Sequence, residues 1–248
     1  MNLTVLYEDN HCLALSKPAG LLTQGVPSGI ATLESQARAY LKHKYHKAGN
    51  VYLGIPHRLD RPVSGVVLFA RSSKAAARLA EQFRERIVQK VYVGLVEHAG
   101  QLPPQSGQWD DYLRKIQDQA RSEIVAPDTP EAKFASLRYE RLGQHDYLAL
   151  MRFEPLTGRM HQIRLQCATR GWPLSGDELY GAQTIFGPTS EVFRDQAIAL
   201  HALNLTILHP IKYEPLTITA PLPEYWPDWA RQVLRMSQGE CIASGESR

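Results

Sequence analysis

Cysteine is scarce in this 248-residue chain: Cys12, Cys167 and Cys241 are odd in number and show no Cys-x-x-Cys spacing. That excludes a disulfide framework and a zinc-finger arrangement, and leaves reduced thiols in a cytosol as the simplest account. Long apolar runs are missing too. None approaches the roughly 18 residues of a membrane helix, and the start lacks a basic segment followed by an apolar stretch. A cytoplasmic protein with no membrane partner is therefore expected. No dinucleotide fingerprint, Walker loop, internal repeat, low-complexity tract or cluster with metal-ligand spacing is present, so neither a metal nor a cofactor is expected; His43 and His46 read as surface residues. A strong charge of either sign is also lacking. A net charge of +3 neither requires nor forbids a nucleic-acid partner.

What is present is enough apolar residue, 44%, to bury a substantial core, and the length suits one elaborate domain. Residues 1–236 are read as that domain and 237–248 as a polar, frayed tail. Basic residues cluster locally. Residues 38–47 hold Arg38, Lys42, Lys44 and Lys47 without an acid, and residues 71–90 hold six basic residues against Glu81 and Glu85. Either stretch can track a phosphate backbone or simply form a solvated helix face.

The heptapeptide Pro56-His57-Arg58-Leu59-Asp60-Arg61-Pro62 presses one carboxylate between two guanidinium groups and brackets it with prolines. Prolines exclude helix and ladder, so the segment reads as a rigid extended turn displaying Asp60, ahead of the strand-like run Val66–Ala70. Two neighbouring arginines favour the charged carboxylate that a nucleophile requires. A structural ion pair explains these residues equally well.

Coarse patterns place the other elements. A helix from Ser72 or Ser73 to about Ile87 puts Ala76, Leu79, Ala80, Phe83 and Ile87 on one stripe, leaving Arg71, Arg78, Arg84 and Arg86 free for solvent or an anionic partner. Gln89–Val96 alternates, with Val91, Val93 and Leu95 on one face and Tyr92, Gly94 and Val96 on the other; Gly94 leaves room beside the Tyr92 ring. By itself Tyr92 reads as an ordinary strand tyrosine. Gly100–Lys133 reads mostly as loops around short strands, residues 134–141 and 147–153 as a hairpin, and Arg159–Thr169 as a helix burying Met160, Ile163 and Cys167. Strands near 198–208 and 213–220 and a helix near 224–236 follow. Hairpins with interspersed helices imply an α+β fold around a mixed, largely antiparallel sheet.

A second constellation lies far along the chain: Gly158-Arg159-Met160-His161-Gln162-Ile163-Arg164, then Gly176-Asp177-Glu178-Leu179-Tyr180-Gly181. Together with His57-Arg58-Leu59-Asp60, Ser64-Gly65, Lys17-Pro18-Ala19-Gly20 and Lys90-Val91-Tyr92, this ordered set resembles the RluA-type RNA pseudouridine synthases over roughly residues 4–229. The resemblance implies a bent central sheet with outer helices, and isomerisation of uridine within tRNA or rRNA without cofactor or metal. By the same resemblance Asp60 is the nucleophile or base, Arg164 pairs with it, and Tyr92 lies against the uracil. Arg58 stacks in the space left by the extruded base; His57, Arg61, His161 and Gln162 contribute to substrate binding or hold the loops. Many relatives carry an S4-like RNA-binding module; here the catalytic motifs begin near residue 3, so RNA recognition is expected from the catalytic domain or another chain, with the protein itself a monomer. Two rivals stay open: an RNA-binding protein that has lost activity, and a hydrolase pairing Asp60 with His57 or His161.

Overall fold

A computed structural model of the chain describes residues 3–25 and 29–239. Period-two alternation organises its sheet from the start. β1 (Thr4–Glu8) and β2 (Cys12–Lys17) form a hairpin closed by Asp9, whose carboxylate accepts the backbone N–H groups of His11 and Cys12 at 2.8 and 2.7 Å. Along β2, Leu13 and Leu15 enter one core cluster while Cys12 and Ala14 enter another on the opposite face. The next strand, β3 after the helix α1 (Leu33–Lys44), runs over Ser64–Ala70, buried throughout, and splits the same way.

The remaining elements are α2 (Ser73–Arg84), β4 (Gln89–Glu97), β5 (Ser106–Lys115), β6 (Ser122–Val125), β7 (Lys133–His145), β8 (Leu148–Pro155), α3 (Gln162–Ala168), β9 (Leu200–Leu208), β10 (Pro215–Thr219) and α4 (Asp228–Ser237). The ten strands make one sheet in the order β1-β2-β3-β9-β4-β8-β7-β5-β6, with β10 paired to β9. Every pairing is antiparallel except β3 with β9, where Ser64 faces His201 and Gly65 faces Ala202. This is the α+β, mixed and largely antiparallel architecture that the alternation predicts. Packed on one face are apolar residues of α1 and α3; on the other are those of α2 and α4. No helix among the described residues is long and apolar enough to cross a membrane.

The β3–β9 crossing positions the site. Gly65 sits at φ +122° and its α-carbon lies so close to the Ala202 backbone that any side chain would collide with it. Beside it the Ser64 hydroxyl bonds His201 Nδ1 at 2.8 Å, and His201 Nε2 meets the Ala220 carbonyl at 3.1 Å.

Several expectations are corrected. α2 stops at Arg84, so Ile87 lies outside it and is exposed; Ala75, Leu79 and Gln82 are its buried residues, and Ala80 is exposed. α3 starts at Gln162, not Arg159, because His161 takes a left-handed conformation at φ 55°. The stretch 100–133 contains the ten-residue β5, whose polar outer face hides it from pattern reading. Space beside Gly94 is filled by Leu174 and Phe153 and is not cleft. Arg71 is no free cation: it is tied to Glu8 at 3.2 Å. The tail assigned to 237–248 begins inside α4, and residues 240–248 lie outside the described residues, as does Cys241.

Candidate active site

The Asp60 loop is nailed down from four directions. Thr23 bonds both sides of Leu59: its hydroxyl donates to the Leu59 carbonyl at 3.0 Å and accepts the Leu59 N–H at 3.2 Å. Lys17, fully buried at the end of β2, donates to the carbonyls of Pro18, Leu21 and Arg61 at 2.9, 2.7 and 3.0 Å. Burial pushes the Lys17 ammonium down to about 7, Asp60 draws it back up, and three acceptors match three N–H donors of the charged form. His57 Nε2 accepts the Leu68 N–H at 2.9 Å and its ring stacks on Phe83; burial, then the charge of Lys90, pushes it down to about 3, so it is neutral at physiological pH. Arg61 turns away from Asp60, donating to the Gly20 carbonyl at 3.0 Å and pairing with Asp195. Neither flanking arginine forms an ion pair with Asp60; Arg58 is exposed at the cleft.

The partners of Asp60 come from 100 residues further on. Arg164 Nη1 lies 3.4 Å and His161 Nε2 3.6 Å from Oδ2, the second too long for a hydrogen bond. Among the described residues Oδ1 has no hydrogen bond or ion pair, and Asp60 lines the cleft. Arg164 is itself clamped by Asp177: Nε to Oδ2 and Nη2 to Oδ1, both 2.7 Å, in a fork that leaves Nη1 for Asp60. Burial opposes the guanidinium charge, and the bond to Asp177, then the charges of Asp177 and Asp60, outweigh it. The Tyr180 ring lies 5.1 Å from the Arg164 guanidinium. Its hydroxyl accepts the Ser122 N–H at 3.0 Å and meets His161 Nδ1 at 2.9 Å; a proton donated there leaves the Nε2 proton of His161 facing Asp60. Gln162 is committed to the fold: its oxygen accepts from Thr157 and Arg159 and its amide donates to the Ser136 carbonyl at 2.9 Å.

Tyr92 stands on β4 where a bulge at Val91/Tyr92 breaks the register with β9. It lines the same cleft as Asp60, Arg58, His161 and Arg164, a space of about 940 Å³. Burial, with Asp60 adding to it, pushes the phenol well above its ordinary value, so Tyr92 acts only as a neutral O–H. The cleft is intensely basic. Arg58, Arg84, Arg86, Lys90, Arg138, Arg152, Arg159 and Arg164 line it, against two acids, Asp60 and Glu154. A chain with little net charge thus concentrates its cations around one half-exposed carboxylate.

The sequence profile of the RNA pseudouridylate synthase family matches residues 11–169, which include Asp60, Tyr92 and Arg164. The chain belongs to that family. Among its relatives, the ribosomal large subunit pseudouridine synthase C of Escherichia coli O6:H1 is 32% identical over 234 residues, 89% of this chain and 66% of that protein. This chain therefore spans just under two thirds of that relative. In fold it is similar to the human RNA Pseudouridylate Synthase Domain Containing 4 (TM-score 0.72, 23% identity, 94% of this chain and 93% of that one). The human RNA Pseudouridylate Synthase Domain Containing 1 has a TM-score of 0.67 at 23% identity, over 90% and 84% of the two chains.

Pattern reading of this family member misses its supporting residues. Asp177 and Tyr180 lie in a motif already singled out, yet nothing in the sequence tells which of the adjacent acids, Asp177 or Glu178, turns inward. Thr23 carries no signal at all. One trio of metal-ligand type occurs among the described residues, Asp9, Cys12 and His209. Its lone pairs are already used: His209 Nε2 donates to Asp9 at 2.7 Å while Nδ1 accepts the N–H groups of Ile211 and Lys212, so it is a clasp between turns.

Proposed function

We propose that the chain isomerises a uridine to pseudouridine within structured RNA. The observation that carries this reading is Asp60, one oxygen held beside Arg164, lining a cationic cleft that Tyr92 also lines. Such a cleft suits a polyanion, and a buried guanidinium clamp holds one carboxylate aimed. Asp60 acts as nucleophile or base while the N1–C1′ bond breaks; the uracil turns, C5 bonds to C1′, C5 loses a proton and N1 gains one. Atoms balance without an oxidant, a group donor or water. Arg164 is the positioning cation, and Tyr92 packs on the uracil, where its neutral hydroxyl can only relay the C5 proton to the Asp60 carboxylate, free again once C5 has bonded to C1′. Arg58, exposed beside Asp60, fills the gap left in the RNA stack. The names of the relatives favour large-subunit ribosomal RNA as the substrate.

Nucleoside analysis of RNA from cells with and without the protein tests the reading. One or more uridines convert to pseudouridine with RNA mass unchanged, and Asp60→Ala gives no product while the fold and much of the RNA affinity persist. Substantial turnover by Asp60→Ala refutes the assignment, and release of free uracil points instead to a hydrolase.

A further inference from the structure

We propose that Arg86, Lys90 and Arg159 form a phosphate subsite in the cleft wall, gripping a phosphodiester that flanks the uridine held over Asp60 and Tyr92. The proposal rests on the reading of the cleft as an RNA site. Three separate segments supply the cations: the turn after α2, the beginning of β4, and the loop before α3. All three line the cleft. Their donors are largely uncommitted among the described residues. Lys90 Nζ makes one long contact, 3.4 Å to the Thr157 carbonyl; Arg159 uses only Nε, bound to the Phe134 carbonyl at 2.8 Å; Arg86 makes no side-chain hydrogen bond or ion pair.

No acid balances them. Of the two carboxylates lining the cleft, Asp60 belongs to Arg164 and Glu154 is paired with Arg152 at 2.9 Å. Burial and then the charge of Arg86 push the Lys90 ammonium down to about 8, and the same two causes lower Arg159, so Arg86 lies within electrostatic reach of both. A cluster of unneutralised cations is relieved by an oxyanion, and two guanidinium forks with an ammonium match phosphate geometry.

Arg86 adds an independent sign. α2 ends in a Schellman turn: Ile87 N–H bonds the Gln82 carbonyl at 3.0 Å and Arg86 N–H bonds that of Phe83 at 3.4 Å. The residue at its left-handed position is Arg86, φ 60°, where glycine is usual. Backbone chemistry does not ask for arginine there, and the helix dipole, which favours any cation at this end, does not bring Lys90 and Arg159 to meet it. Lys90 and Tyr92 lie two residues apart on one face of β4, about 7 Å along the strand, a spacing that a base and an adjoining phosphate of one strand can bridge.

The test is a titration of a labelled hairpin RNA with a uridine-containing loop into the full chain at a series of KCl concentrations. Arg86→Gln with Arg159→Gln flattens the plot of log Kd against log salt by about 0.7–0.9 per charge removed. Lys42→Gln with Lys47→Gln, the same change of net charge elsewhere, leaves the slope unaltered. Once all loop phosphates are replaced by neutral methylphosphonates, wild type and the Arg86/Arg159 variant bind alike. Arg86→Gly, which suits the turn, melts no lower than wild type yet loses RNA affinity. Equal slopes for the two double variants, or wild-type affinity in Arg86→Gly, overturn the subsite while leaving the RNA reading intact. Absence of any salt-dependent binding by the wild type overturns both.

Discussion

Two helix ends in this protein are chemically alike and functionally opposite. α1 closes on Lys42-His43-Lys44-Tyr45-His46-Lys47 and α2 on Arg84-Glu85-Arg86, both with a Schellman turn and a left-handed residue that is not glycine, His46 at φ 49° and Arg86 at φ 60°. In α1 the basic end is anchored by its own acid. Glu8 accepts from Lys44 and Tyr40 at 2.7 Å each and from Tyr45 at 2.6 Å, and no residue of 38–47 lines the cleft. At the end of α2, Arg84 is paired with Glu81 at 3.2 Å, but Arg86 meets Lys90 and Arg159 at the cleft wall with no ion pair among the described residues. A run of basic residues is therefore a phosphate tracker only where the fold withholds its counter-ions. Composition shows the charges and is blind to their pairing.

The sharpest break of that comparison is to remove the carboxylate on each side. Asp177→Ala strips the buried Arg164 of its two short bonds, leaving an uncompensated charge; stability falls by about 3–5 kcal/mol, and turnover at temperatures where the variant stays folded falls by at least ~100-fold. Glu8→Ala releases the end of α1 and lowers stability by about 1–2 kcal/mol while turnover per folded molecule is unchanged. Thermal melts and single-turnover rates on the same preparations separate the two outcomes; equal loss of turnover in both variants ends the distinction.

Next in size is the effect of the cations on RNA affinity. Neutralising Arg86, Lys90 and Arg159 together to Gln weakens binding by about 30-fold or more at low salt. Neutralising Lys42, Lys44 and Lys47 changes it by less than about 3-fold. Equal losses in a filter-binding or polarisation titration show that RNA answers to net charge and not to the cleft.

These distinctions show what pattern reading can reach. Gln89–Val96 is legible as a strand with two faces because its alternation is local, and Asp60 and Arg164 are legible as partners through motif resemblance. Arg61 points away from Asp60 because it opens the corner of a turn closed by the Val63 N–H on the Asp60 carbonyl at 3.1 Å, so the residue next to Asp60 in sequence pairs with Asp195 in space. The end of α2 is misplaced because Ile87 prolongs the apolar period past a turn that lacks the usual glycine. The start of α3 is misplaced because Met160 fits the helical stripe, while the bonds from Gln162 to Thr157 and Ser136 hold residues 157–161 as a loop. Lys17 and Asp177 sit in recognised motifs, but their roles exist only as long-range contacts.

A smaller effect concerns protons. Lys90, pushed down to about 8, is only about half charged at that pH, and a phosphate beside it favours the ammonium. Binding RNA therefore raises its pKa, and the complex takes up to about half a proton near pH 8, less at pH 6.5, where Lys90 is already charged. Calorimetry in buffers of different ionisation enthalpy measures this uptake; it disappears in Lys90→Gln. The basic end of α1, tied to Glu8 and away from the cleft, contributes none, so uptake that survives Lys90→Gln but not Lys44→Gln reverses the assignment of the two regions.

The smallest effect lies in the two Schellman turns themselves. A left-handed backbone disfavours any residue with a β-carbon by about 1 kcal/mol or slightly more, and histidine tolerates it better than arginine. Glycine at either position relieves that strain and partly offsets the gain through a looser unfolded chain. Arg86→Gly is then expected to raise stability by about 0.5–1 kcal/mol, roughly 1–4 °C in Tm for a domain of this size, and His46→Gly by less. Only the first weakens RNA binding, because only that side chain reaches the cleft. A gain in stability joined to a loss of affinity identifies a residue kept for what its side chain does. A loss of both at Arg86 makes the arginine part of the scaffold, and the two helix ends differ in position alone.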